Sequence, residues 1–191
     1  MEKKILYFEG AGAENTVQTI SAARERAEEL GIRDLVVATT HGSTAIMARE
    51  AFNDPDMNIV AVSICEAFAE EGWTMSEEEK QRLRENGIKV LTSMHALGDG
   101  VGSAFAEKHG GKPVEEVVRD TLYRFGQGMK VCVEVVLMAA DAGLIPMDGE
   151  VMAIAGTDGG ADTCIVVKPT YPRKFLELEV REIVAKPRRL S

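Results

Sequence analysis

The chain has 191 residues, of which 45% are hydrophobic and 28% charged, with 18 glycines and 6 prolines. That composition excludes collagen-like and disordered chains and suits one folded domain with a substantial core, so residues 1–191 are read as a single domain. A formal net charge of -9 argues against a general nucleic-acid surface, which needs clustered Lys and Arg; the one concentration, Lys186-Pro187-Arg188-Arg189, reads as a solvated tail.

The amino terminus passes from Met1-Glu2-Lys3-Lys4 into a strand-like run, Ile5 to Phe8, without a signal-peptide pattern, and a cytoplasmic location is expected. Gly10 and Gly12 in the following loop resemble half a dinucleotide fingerprint, but Asn15 stands where the third glycine belongs. A helix then carries Val17, Ile20, Ala23, Ala27 and Leu30 on one face, with Asn15 or Thr16 as its cap and Gly31 as its stop. Leu35 to Thr39 is an apolar strand that runs into Thr40-His41-Gly42-Ser43-Thr44, a small-residue turn opening a helix from Ala45 to Phe52. The strand Ile59 to Ile64, a helix opened by the capping-box pair Ser76 and Glu79 and stopped before Gly87, and the strand Val90 to Thr92 continue the alternation. This pattern predicts a parallel sheet with helices on both faces, and the loops after Phe8, Thr39, Ile64 and Thr92 share the rim where such sheets bind ligands.

In the second half, Pro113 opens a helix through Val114, Val117, Val118, Thr121, Leu122 and Phe125. Lys130 to Gly143 is a helix apolar nearly all round; its charges, Lys130, Glu134 and Asp141, fall within about 40° of one another at 100° per residue and form one polar seam. The longest apolar stretch, Val131 to Ile145, is interrupted by two acids and too short for a membrane span. Val151 to Ala155 and Cys164 to Lys168 form a strand hairpin around a long glycine-rich loop, Gly156 to Thr163, and Leu176 to Val180 alternates like an edge strand.

The turn at Gly42 is the strongest candidate site. The first amides of a helix lack intrahelical partners and sit at a positive dipole end, so Thr40, Gly42, Ser43 and Thr44 would direct donors at one phosphate; the same Ser43 or Thr44 would also serve as an ordinary cap. Asp162 and its neighbours would accept from ribityl or ribose hydroxyls, unless the segment is simply a long hairpin loop. His41 and His95 each follow a strand on the expected rim, but no carboxylate at triad spacing and no nucleophile elbow accompanies them. Cys65, Cys132 and Cys164 are odd in number and far apart, which supports neither a disulfide framework nor a zinc site; they read as buried thiols, and no metal is expected.

The strand, the Thr39-Thr40-His41-Gly42-Ser43-Thr44-Ala45 turn and the following Ile59 to Val62 strand resemble the carboxyl-terminal domain of pyruvate kinase, in which the corresponding loop grips a sugar-phosphate effector. Asn15-Thr16, Val37-Ala38-Thr39, Val90-Leu91-Thr92, Phe125 to Val131, Met138 to Pro146 and Gly160-Ala161-Asp162-Thr163 are similar to the small stand-alone proteins of that superfamily. The resemblance implies a three-layer α/β/α sandwich with a mostly parallel sheet, and FMN as cofactor. It implies FMN contacts from Asn15, Thr16, Thr39, Thr40, His41, Gly42, Ser43, Thr44 and His95, and from Gly156, Thr157, Gly159, Gly160, Asp162 and Thr163. Pyruvate kinase chemistry is not expected, because its catalytic residues belong to a separate barrel whose motifs these residues lack. The segment Cys65 to Trp73 departs from the aromatic and His-rich form of relatives; Phe68 or Trp73 would stack on the flavin or cover core. Two functions follow: a flavin-dependent oxidoreductase, or a sensing domain that binds a phosphorylated metabolite without turning it over. Neither needs nucleic acid or membrane, and a closed homo-oligomer is the default expectation.

Overall fold

The computed structural model describes residues 2–190. Its strands are β1 (Leu6–Phe8), β2 (Asp34–Ala38), β3 (Asn58–Ser63), β4 (Lys89–Thr92), β5 (Val151–Thr157), β6 (Gly159–Lys168) and β7 (Glu179–Pro187). Its helices are α1 (Thr16–Leu30), α2 (Ser43–Phe52), α3 (Glu77–Glu85), α4 (Val101–His109), α5 (Val114–Leu122) and α6 (Gln127–Asp141). The strands form one sheet in the order β1-β7-β6-β5-β2-β3-β4, in which β6 alone pairs antiparallel with its neighbours.

Alternation along the central strands divides the core in two. Leu35 and Val37 of β2, Ile59 and Ala61 of β3 and Met152 and Ile154 of β5 point toward α1, α2 and α3. Val36, Val60, Ala153 and Ile165 point the other way, onto α6. A strand covered on both sides reads as a continuous apolar run; the alternation predicts this mostly parallel sheet with helices on both faces, and the resemblance implies the three-layer α/β/α sandwich that it forms.

Local chemistry explains most boundaries. Gly31, at φ 68°, ends α1, and Ser76 and Glu79 form a complete capping box at the start of α3. Helix α6 is buried on nearly every side, as its composition predicts. Lys130 and Glu134 form a buried ion pair there, while Asp141 is exposed and takes no part, so the seam is two residues long.

Four expectations are corrected. Val17 is exposed, and the buried face of α1 turns instead on Thr16, Thr19, Ile20, Ala23, Arg26 and Ala27. Arg26 is held there by a two-pronged bond to Glu182 of β7, at 2.7 and 2.6 Å. Leu176 to Leu178 is not strand, because a turn of 3-10 helix occupies Pro172–Glu177. Lys186 and Pro187 are not a solvated tail: they pair with Tyr7 and Phe8, and Arg188 N–H donates to the Phe8 carbonyl at 2.8 Å. The long loop Gly156 to Thr163 is in fact a tight hairpin, with Thr157 opposite Gly159 and Asp158 at the tip in a left-handed conformation (φ 62°).

Candidate functional site

The loops after β1, β2, β3 and β4 and the β5–β6 hairpin meet on one rim of the sheet. Three constructions stand along it.

The first is the start of α2. Thr39 leaves β2 with its N–H bonded to the Val62 carbonyl at 3.0 Å, and its hydroxyl accepts from the Gly42 N–H at 3.0 Å. Gly42 takes a left-handed conformation (φ 87°), and a Cβ there would lie 3.2 Å from the Leu83 side chain, so α3 closes directly over the turn. No side chain caps α2, and among the described residues no protein group accepts from the amides of Ser43, Thr44 or Ala45. Thr44 is buried, whereas Thr40, His41 and Ser43 are exposed. A cleft of about 280 Å³ opens beside Gly42 and Ser43, walled by Ile46, Met47 and Leu83 and edged by His41, Glu79 and Arg82. His41 Nδ1 stands 3.2 Å from Glu79. The Ser76 backbone N–H, with a smaller contribution from His41, holds the Glu79 carboxyl below the ordinary carboxylate range. Free amides, a hydroxyl and the Arg82 guanidinium are groups that a phosphate can use, with the Glu79 carboxylate opposing them at the cleft's edge.

The second construction joins the β5–β6 hairpin to the amino-terminal loop, and here the polar groups are already engaged. Thr16 Oγ1 accepts from the Ala161 N–H at 2.9 Å and donates to the Ala13 carbonyl. Asn15 Nδ2 donates to the carbonyls of Gly10 and Gly12. Asp162 is fully buried, one carboxylate oxygen accepting from the Gly12 N–H at 3.1 Å and the other from the Thr163 hydroxyl at 2.7 Å. The glycines serve close approach of protein to protein: a Cβ on Gly160 would lie 2.3 Å from Thr16 Oγ1, and one on Gly156 would lie 2.6 Å from the Gly160 carbonyl oxygen. Asn15, Thr16, Gly156, Gly160, Asp162 and Thr163 therefore come together as a brace under the rim, with Thr157 and Gly159 at its exposed turn. The start of α6 packs on this brace, since a Cβ on Gly128 would lie 2.3 Å from Thr163 Oγ1 and 2.8 Å from Asp162 Oδ1. Beside it lies a shallow hollow of about 450 Å³ lined by Tyr123, Arg124, Gln127 and Leu190, none of which the sequence reading singles out as ligand contacts.

The third construction lies at the ends of β3 and β4. His95 Nδ1 is 2.5 Å from Asp99 Oδ2, and its ring stacks on Phe68 with centroids 6.1 Å apart. Phe68 in turn stacks on the half-exposed Trp73 at 5.6 Å. The loop bearing His95 is pinned from below: the Leu97 N–H donates at 2.9 Å to Glu134, which is paired with Lys130. Cys65 lies in the same corner, its sulfur close to His95 and Asp99. His95 is thirty residues from Cys65 in the sequence and meets it only through the pairing of β3 with β4. Cys132 and Cys164 lie away from this corner in the core, where burial pushes their thiol pKa values up and the Cys132 thiol donates to the Thr163 carbonyl.

The fold defines an α/β domain whose helix α2 begins on the rim without a side-chain cap. Residues 18–167 match the family described as pyruvate kinase, alpha/beta domain, and the chain belongs to that family. Solved structures of similar fold include a pyruvate kinase from Cryptosporidium parvum, 15% identical over 81% of this chain and 23% of that one, with a TM-score of 0.42. A Cryptosporidium parvum pyruvate kinase in complex with ADP is 15% identical with the same TM-score of 0.42, covering 81% of this chain and 24% of that one. The chain thus spans about a quarter of the length of these enzymes. No helix among the described residues is long and apolar enough to cross a membrane.

Proposed function

We propose that this chain binds FMN, with the flavin phosphate at the amino end of α2, and that the protein orients a cofactor whose own chemistry is redox transfer. The observation that carries this reading is the set of amides at Ser43, Thr44 and Ala45, which no protein acceptor meets among the described residues. The donor set fits a phosphate, and Arg82 offsets part of its charge in a chain of net charge -9. Strands lie about 4.8 Å apart, so two spacings, about 10 Å, separate the ends of β2 and β4, a distance on the scale of a ribityl chain. Phe68, Trp73 and His95 offer an aromatic surface at that distance.

A second reading has an observation of its own. The cleft over α2 measures about 280 Å³, room for a phosphate and part of a sugar but less than a whole flavin occupies. A domain that holds a small phosphorylated metabolite without turning it over fits that volume directly. Titration of the purified protein with FMN and with riboflavin separates the two. The flavin reading expects FMN to bind at least about tenfold tighter than riboflavin, and the bound flavin to bleach with a nicotinamide reductant. Binding of sugar phosphates with no affinity for FMN would favour the sensing domain.

A further inference from the structure

Three side chains of different donor chemistry meet at the carboxyl ends of β3 and β4. The Cys65 thiol, the His95 imidazole and the Asp99 carboxylate each present a ligand atom within 4.8 Å of the other two. We propose that this cluster binds one zinc-class divalent cation, with Cys65 Sγ, a ring nitrogen of His95 and a carboxylate oxygen of Asp99 as protein ligands and a fourth position open to water.

The donor set selects the kind of ion. Magnesium and calcium take oxygen ligands and have little use for sulfur, whereas thiolate, imidazole and carboxylate together suit zinc and its neighbours in the first transition row. The number of ligands selects the kind of site. Structural zinc sites are closed by four protein ligands, while three leave a position for an exchangeable molecule. Cys65 is buried, His95 partly buried and Asp99 exposed, so the cluster opens to solvent on the Asp99 side, which supplies an entry path.

The surroundings hold two of the three ligands in place. Phe68 stacks on the His95 ring, and the Leu97 to Glu134 bond ties the loop to α6. Asp99 sits between Gly98 and Gly100 with φ 58°, a left-handed conformation that is costly for a residue with a side chain and that keeps its carboxylate beside His95. Zinc bonds of roughly 2.0–2.3 Å bring tetrahedral ligand atoms to within about 3–4 Å of one another. Closing the cluster therefore requires shifts of about an ångström, in which the His95–Asp99 hydrogen bond is exchanged for bonds to the ion. An ionised Cys65 and Asp99 would together balance a divalent charge, and the adjacent Glu66 is already engaged by Lys80 at 3.4 Å. The site shares His95 with the aromatic surface offered to the flavin but does not need the flavin, and its test contains none.

The test is a titration of chelator-stripped protein with Co²⁺. The expected result is a near-ultraviolet thiolate-to-cobalt band that saturates at one ion per chain and is displaced by one equivalent of Zn²⁺. Cys65→Ser should abolish the band, and His95→Ala and Asp99→Asn should each weaken metal affinity roughly tenfold to a hundredfold. His109→Ala, on an exposed helix end outside the cluster, should change neither. Circular dichroism checks that each variant is folded, and zinc should raise the Tm of the parent but not that of Cys65→Ser. Failure of saturating Co²⁺ to produce the band in folded parent protein, or its survival in Cys65→Ser, would overturn the proposal. So would a metal-free protein whose Cys65 alkylates faster than free cysteine and slows in His95→Ala, because the cluster would then be a thiol–imidazole relay.

Discussion

Helices α2 and α6 both begin on the same rim without a side-chain cap, and they differ in what packs against their first turns. At α6, Gly128 packs against Thr163 and Asp162, so a buried carboxylate of the chain itself lies at the positive end of the helix. At α2 the Gly42 N–H is joined to Thr39, no buried carboxylate among the described residues packs against the first turn, and Ser43 faces solvent. The difference shows why a helix start is not by itself a binding site. Neither start has a side-chain cap, so what separates them is the charge already present: the buried Asp162 carboxylate lies against the first turn of α6 and no carboxylate among the described residues is packed into that of α2, which is why the phosphate is proposed at α2.

The comparison breaks most visibly through α6. Lys130→Met leaves Glu134 as an uncompensated buried charge and should cost about 3–5 kcal/mol. That corresponds to a fall in Tm of roughly 10 °C or more in a chain of this size, measured by thermal denaturation. FMN affinity should change little at temperatures where the variant is folded; unchanged stability with lost FMN binding would move Lys130 into the site. Gly128→Ala drives a methyl into Thr163 and Asp162 and should cost about 1–3 kcal/mol in chemical denaturation. A neutral result there would mean that the brace is loose and that Asp162 is free to meet a ligand.

A smaller effect is expected at the Arg26–Glu182 pair. Hydrogen bonding from Arg26 holds the Glu182 pKa below its ordinary 4.5 in the folded chain. A carboxyl with a depressed folded-state pKa stabilises fully above its unfolded value, and that contribution fades as pH falls through the folded value. Urea midpoints should therefore fall as the solution is acidified through the carboxylate range, and Glu182→Gln should flatten part of that slope. An unchanged slope in the variant would assign the acid sensitivity to other carboxylates.

How much of this was legible in the sequence varied with the range of the interactions. The Ser76–Glu79 capping box, the Gly31 stop, the doubly covered strands and the apolar α6 are written in residues a few positions apart, and all appear as expected. The start of α2 was legible for the same reason. Strand β7 was not, because Glu179, Arg181, Glu182 and Lys186 give it a solvated appearance, and its place between β6 and β1 is set by pairing with distant strands. The glycines of the hairpin signal close approach in any reading, but the sequence does not say to what. The structure answers with Thr16 and Ala13, 144 and 147 residues before Gly160. The corner of Cys65, Phe68, Trp73 and His95 exists only because β3 and β4 are neighbours.

The central claim, phosphate at α2 and not at α6, is tested most directly by comparing FMN and riboflavin affinities in Ser43→Asp and Gln127→Asp. Both place an acid in an exposed first helical turn, where the dipole favours it, so neither should unfold the ligand-free protein. Ser43→Asp should weaken FMN by about 1–3 kcal/mol, roughly fivefold to 150-fold, and leave riboflavin nearly unchanged, while Gln127→Asp should alter neither. Loss of FMN affinity in Gln127→Asp with none in Ser43→Asp would contradict the account and assign the phosphate to α6.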